Sequence, residues 1–322
     1  MIRRSLARLA LALCAAGACG GAAAQADKPI SLVVGYAAGG SADFVARVVG
    51  AELARRLGRQ VIVENVAGAS GMLAVQKVLA APPDGGLIYM GGTDTVLVPM
   101  VNPKVRLDWD KDLQPVGRMT TVPMIFAVPG SSPYGTLQDL VAASRKAPQG
   151  ITYAIPGIGT MQHLYGALVA HRYKARLTHI PYRGGAAITN DLVGGTVDAA
   201  VLVLSTAMPF IKDRRIKALS VSDVARVPQL PGVPRLGEEP GLDGVSLPLW
   251  QGLFVRSGTP AATVALYERV LLEAMAQPEV KDKLAESGIT AAPLGGAALR
   301  AFIAPQARLY KDIVSASHIT QD

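Results

Sequence analysis

The stretches of this chain best equipped for chemistry offer backbone N–H groups rather than reactive side chains. Residues 35–40 read GYAAGG, and Ser41 can cap a helix whose apolar positions Phe44, Val45, Val48 and Val49 recur at helical spacing. The run before it, ISLVV at 30–34, is β-branched and apolar, as a buried strand requires. A strand, a glycine loop and a helix start together aim unpaired N–H groups at one point. The partly positive helix end then makes that point attractive to a carboxylate or phosphate. The same pattern also serves as a plain strand-to-helix turn. Comparable small-residue loops follow at 64–71 (ENVAGASG), 91–95 (GGTDT) and 156–160 (PGIGT).

Reactive side chains are sparse. The chain contains no G-x-S-x-G elbow, S-x-x-K, H-E-x-x-H or P-loop, and Gly157-Ile158-Gly159 lacks the third glycine of a dinucleotide fingerprint. Four histidines leave little general-base chemistry. His163 and His171 stand eight residues apart with no acidic partner at ligand spacing, so no metal is expected, and nothing calls for a cofactor. Repeats or extended sandwich strands, which an adhesion or scaffold module would need, are not evident.

The elements that position the loops alternate. Apolar strand-like runs at 30–34, 61–63, 87–90, 125–128, 152–155 and 198–204 are separated by helical patterns, and long helices at 260–276 and 297–315 close the chain. This alternation predicts a mostly parallel α/β architecture with loops gathered at strand C-termini, where such folds bind ligands. Residues 228–248, with five prolines and four glycines, read as an irregular crossing.

The first 26 residues read as an export signal: Arg3, Arg4 and Arg8, an apolar run at 9–18, and Ala24-Gln25-Ala26 as a cleavage site after Ala26. Attachment through Cys19 as a lipoprotein is the alternative. Both cysteines, Cys14 and Cys19, lie in this leader, so the mature chain is expected to have no disulfide, thiol or cysteine–metal chemistry. Removing the three arginines leaves 29 Lys and Arg against 24 Asp and Glu, lowering the net charge from +8 to +5. That mild excess suits an anionic ligand, and no basic cluster is dense enough for nucleic acid.

Several blocks then resemble, in order, the Bug-type substrate-binding receptors of tripartite tricarboxylate transporters. They include GYAAGGSADFVAR (35–47), VIVENVAGASG (61–71), APPDGGLIYMGG (81–92), GIGTMQHL (157–164), PYRGGAAITNDLVGGTVDAA (181–200) and LWQGLFVRSGTP (249–260). The resemblance implies a two-lobed periplasmic-binding-protein fold (type II-like) with a ligand cleft between lobes. It implies a monomeric receptor that takes a small organic carboxylate and hands it to the membrane permease subunits of a transporter, without catalysis. An exported carboxylate sensor lacking its own transporter, or an α/β enzyme with an unrecognised site, are the alternatives. The expected lobes are 27–123 plus 251–322, and 124–250.

Carried over position by position, the resemblance points to Tyr36, Ala38, Gly39, Gly40 and Asp43, to Thr93 and Thr95, and on the second lobe to Gly159, Thr160, His163, Tyr182, Arg183 and Asp198. Each has a structural alternative: Asp43 as a helix cap, His163 as a loop-bracing donor, Arg183 as a solvated cation, Tyr36 as loop packing and Asp198 as a turn residue. The 36–43 and 157–163 loops are expected to capture the carboxylate together. Where relatives often carry polar groups, this chain has Ala154-Ile155 and Leu202-Val203, and Gly35 replaces a usual proline. An apolar or aromatic tail is therefore expected in preference to citrate or an amino acid.

Overall fold

The computed structural model describes residues 28–223 and 226–317. The expected export leader and cleavage site, with both cysteines, lie outside the described residues.

In chain order the strands are β1 (Ile30–Val34), β2 (Val61–Asn65), β3 (Leu87–Gly92), β4 (Leu113–Val122), β5 (Met124–Pro129) and β6 (Ile151–Ile155). They continue as β7 (Leu177–Pro181), β8 (Ala199–Val203), β9 (Ile216–Val221), β10 (Leu249–Arg256) and β11 (Thr290–Gly295). They build two sheets, ordered β11-β4-β10-β3-β1-β2 and β7-β6-β8-β5-β9. The first sheet thus draws on the chain before Pro123 and after Pro248, the second on the chain between.

The expectation of a mostly parallel sheet is corrected. β1 runs parallel to β2 and β3, and β6 to β7 and β8. However, β10 is antiparallel to β3 and β4, β11 to β4, and β5 to β8 and β9. The cause is the double crossing. β4 carries the chain out of the first sheet and β10 brings it back, so the two must run in opposite directions when they pair.

The helices in chain order are α1 (Ser41–Leu57), α2 (Met72–Ala80), α3 (Thr93–Val101), α4 (Trp109–Asp112), α5 (Leu137–Lys146) and α6 (Met161–Tyr173). After them come α7 (Gly185–Gly194), α8 (Leu204–Lys212), α9 (Ala261–Ala276), α10 (Pro278–Glu286) and α11 (Gly296–Ser317). Central strands are apolar almost throughout because helices cover both faces: β8 is buried at all five positions, and Ile30, Leu32, Val33 and Val34 of β1 are fully buried. Helix α1 turns Val45, Ala46, Val49 and Leu53 into this core. Helix α9 packs on α1 and β4, while α11 packs on β4 and reaches both α3 and α6.

Only Pro123 separates β4 from β5. Buried Ser222 ties this crossing to the other: its N–H donates to Met124 O (2.9 Å), its Oγ accepts from Met124 N (3.0 Å), and its carbonyl accepts from Leu247 N (2.9 Å).

Candidate functional site

The C-terminal ends of β1, β3, β6, β7 and β8 meet where the two sheets face each other, and each passes into a helix start. They enclose a cavity of about 820 Å³, including its open mouth. A more open outer space of about 1010 Å³ lies beside it, bordered by Leu73, Gly157, Tyr182 and Arg183. Tyr36, Ser70 and Pro156 line both and so divide them.

On the first-sheet side, Gly40 is the extended N-cap of the 17-residue α1, with no side-chain cap. Gly40, Ser41 and Ala42 line the cavity. Ser41 is 9% exposed, and its buried Oγ has no hydrogen-bond partner among the described residues. Gly39 adopts φ +83, the left-handed turn that glycine permits, and with Ala38 it sits exposed on the outer side of the loop, lining neither space.

Asp43 braces this loop from within. Its carboxylate accepts from Gly39 N (3.0 Å) and from Arg47 Nη2 (2.8 Å), and it does not reach the cavity. Burial alone would raise its pKa, but the bonds from Arg47 and Gly39 prevail and hold it below the ordinary value.

Thr93 and Thr95 line the cavity, yet their hydroxyls are engaged. Thr93 Oγ1 accepts from Trp250 N (3.2 Å); Thr95 Oγ1 accepts from Gly92 N (3.1 Å) and bonds Tyr89 OH (3.0 Å). Between them stands Asp94, which the sequence did not single out. One of its oxygens accepts from Tyr36 OH, and the other accepts from Met161 N (2.8 Å) at the start of α6 on the second sheet's side. Burial pushes the Asp94 carboxyl up to about 6, opposed by these two bonds. Burial, followed by Asp94, also raises the Tyr36 phenol well above its usual value.

Of the two loops expected to act together, 36–43 and 157–163, the second has most of its donors engaged within the protein. Gly159 N donates to His163 Nδ1 (3.1 Å), Thr160 Oγ1 donates to Gly157 O (2.7 Å) and accepts from His163 N (3.3 Å), and Met161 N is taken by Asp94. A helix start with most of its N–H groups engaged, one of them by a carboxylate, has less attraction left for another anion. His163 does brace the loop, but as an acceptor. Burial pushes its pKa down to about 4, with the His179 ring 4.4 Å away adding to the effect.

The free second-lobe donors lie one helix further on. α7 begins at Gly185 behind an uncapped Gly184, and Gly185 lines the cavity beside Thr206, whose buried Oγ1 lacks a partner among the described residues. A Cβ on Gly184 would lie 3.5 Å from the Ala37 Cβ, so the two lobes nearly touch here. Gln162 also faces the cavity, its Oε1 buried and without a partner among the described residues. Val201, Leu202, Val203, Ile188 and Leu249 supply an apolar wall. Pro156 joins it, whereas Ile155 does not.

Tyr182 and Arg183 border the outer space only. Tyr182 OH donates to Asp191 (2.6 Å); Arg183 is exposed and has no side-chain partner among the described residues. Asp198 is remote. It precedes β8, whose five residues span roughly 16 Å, and Val203 at the far end meets the cavity. Its carboxylate accepts from Thr152 N (2.8 Å) and Oγ1 (2.7 Å) instead.

Residues 45–319 match the family described as "Tripartite tricarboxylate transporter family receptor". A protein of Pseudomonas sp. (strain P51), named for the tcbD-tcbE intergenic region, is 35% identical over 271 residues, 84% of this chain and 80% of that one. Among solved structures, the periplasmic binding protein BugD superposes with a TM-score of 0.85 at 28% identity, covering 91% of this chain and 99% of that one. MatC from Rhodopseudomonas palustris with bound malate gives 0.81 at 28% identity, covering 89% and 98%.

Proposed function

This chain belongs to the tripartite tricarboxylate transporter receptor family, and from that premise we propose that it captures a small organic monocarboxylate with an apolar tail. Like its solved relatives it has the two-lobed α/β fold of periplasmic binding proteins, and it is a receptor rather than an enzyme. The lobes we assign are 27–123 with 251–322, and 124–250. The carboxylate sits between the starts of α1 and α7, and the tail lies along the apolar wall.

One observation carries this reading: Ser41 Oγ and Thr206 Oγ1, both buried and without a partner among the described residues, belong to opposite lobes and line one cavity with two uncapped helix starts. Buried polar atoms without partners are rare in folded proteins, and a ligand carboxylate would satisfy them. MatC's malate supports the carboxylate class. The tail follows from Val201, Leu202, Val203, Ile188 and Leu249, against which apolar surface gains about 25 cal/mol for each Å² buried. The family role makes transporter permease subunits the partner. Export with cleavage after Ala26 delivers a monomer to the periplasm.

Gly40→Val tests the placement. Gly40 has ordinary negative φ, and an added Cβ would meet only Ala37 O at 3.7 Å, so the fold accommodates a side chain that protrudes into the cavity. Calorimetry with branched and aromatic monocarboxylates should show micromolar binding to the wild type and at least a tenfold loss in the variant, with unchanged melting temperature. Unchanged affinity would overturn the placement, and tighter wild-type binding of citrate, glutamate or aspartate would overturn the tail.

A further inference from the structure

Asp94 is a carboxylate standing inside a cavity read here as a carboxylate site. It forms no ion pair among the described residues. Among the described residues its hydrogen-bond donors are one hydroxyl, from Tyr36, and one backbone N–H, from Met161. Each oxygen keeps further lone-pair capacity. The apolar Val201, Leu202 and Leu249 line the same space and cannot screen the charge.

We propose that Asp94 is the specificity-determining residue of the cleft: it restricts the receptor to ligands with a single carboxylate and favours those that carry a hydrogen-bond donor, an ammonium or hydroxyl, elsewhere. This rests on the carboxylate-binding reading above. The ligand's anchoring carboxylate is compensated by two helix starts, but a second one would meet Asp94 with nothing between them, and like charges juxtaposed in a desolvated site are strongly unfavourable. An ammonium or hydroxyl would instead complete the coordination of a carboxylate that lacks a cation. The sequence reading sets citrate and amino acids aside together; Asp94 separates them, excluding a second carboxylate and accepting an ammonium. Above pH 7 the group is ionised, since burial brings it only to about 6.

Three six-carbon probes that differ only at the far end decide the matter: hexanoate, 6-aminohexanoate and adipate, titrated calorimetrically at pH 8 into wild type and Asp94→Asn. The asparagine keeps the shape and can still accept one of the two hydrogen bonds. In the wild type, hexanoate and 6-aminohexanoate should each bind roughly tenfold or more tighter than adipate. In the variant, adipate should gain on hexanoate by about the same factor and 6-aminohexanoate should lose its relative advantage. Adipate binding the wild type as tightly as hexanoate overturns the proposal without any need of the variant. An adipate-to-hexanoate ratio unmoved by the substitution also overturns it. If none of the three binds at millimolar concentration, the underlying carboxylate reading fails and takes this inference with it, which is a different outcome from binding without discrimination.

Discussion

At the scale of single residues, the site is made by groups that lack a protein partner, and the groups expected to bind mostly have one. Asp43, His163 and Asp198 are chemically conspicuous, and each is spent on the fold: on Gly39 and Arg47, on Gly159, and on Thr152. Ser41 and Thr206, chemically plain, are the ones left open. Sequence can rank residues by what they could do, but it cannot tell which of them the fold has already engaged. Asp94 also has a measurable consequence for stability. Its carboxyl lies near 6 in the folded protein against about 3.8 in an unfolded chain, so the neutral form favours folding. That contribution is complete below about pH 3.8 and is lost as pH rises to about 6; it amounts to roughly 1–3 kcal/mol. His163, depressed to about 4, acts in the opposite direction as pH falls, so a substitution is needed to isolate Asp94. Denaturation at pH 4 and pH 7.5 should show Asp94→Asn gaining on the wild type by about that amount at the higher pH. A difference that does not vary with pH would refute the assignment.

At the scale of elements, the strand–loop–helix units were legible because they are local. The run 30–34, the glycine loop and the helix from Ser41 appear where pattern places them, as do α9 and α11, although Gly40 and not Ser41 is the N-cap of α1 and no side chain caps it. The strands β4, β7, β9, β10 and β11 are not among the runs that the sequence singled out. β4 (LQPVGRMTTV) holds a proline, a glycine and an arginine within ten residues and is a strand because β10 and β11 flank it. Its identity is set by partners distant in sequence, which local periodicity cannot register. Gly35, a departure from the usual proline, gains a reason here. A Cβ on Gly35 would lie 2.6 Å from Gly71 Cα, so the first and second glycine loops pack backbone against backbone. Backbone cannot swing aside as a side-chain tip can, and Gly35→Ala should cost about 1–3 kcal/mol by chemical denaturation. A loss under about 0.5 kcal/mol would mean the loops separate easily.

At the scale of the molecule, the sheets divide the chain twice at crossings only a few residues long, held in register by Ser222. Across the cleft, two hydrogen bonds join the lobes among the described residues: Met161 N to Asp94, and Ser70 Oγ to Ile158 O (2.7 Å). Ser70 also stands, with Tyr36 and Pro156, between the inner cavity and the outer space. A solute inside therefore has a door as well as a binding site, and the two set different clocks. Residence time should be governed by how often the lobes part, not by how well each solute is held. In stopped-flow chase experiments, chemically different tight ligands should leave at a shared limiting rate while their affinities diverge through association. Ser70→Ala, lacking one bond of about 0.5–1.5 kcal/mol net, should speed entry and exit alike by roughly two- to tenfold and shift Kd much less. Exit rates that scale with affinity in every ligand would show that the door is always ajar. With a shared exit rate, the receptor would hand over each accepted solute at one tempo.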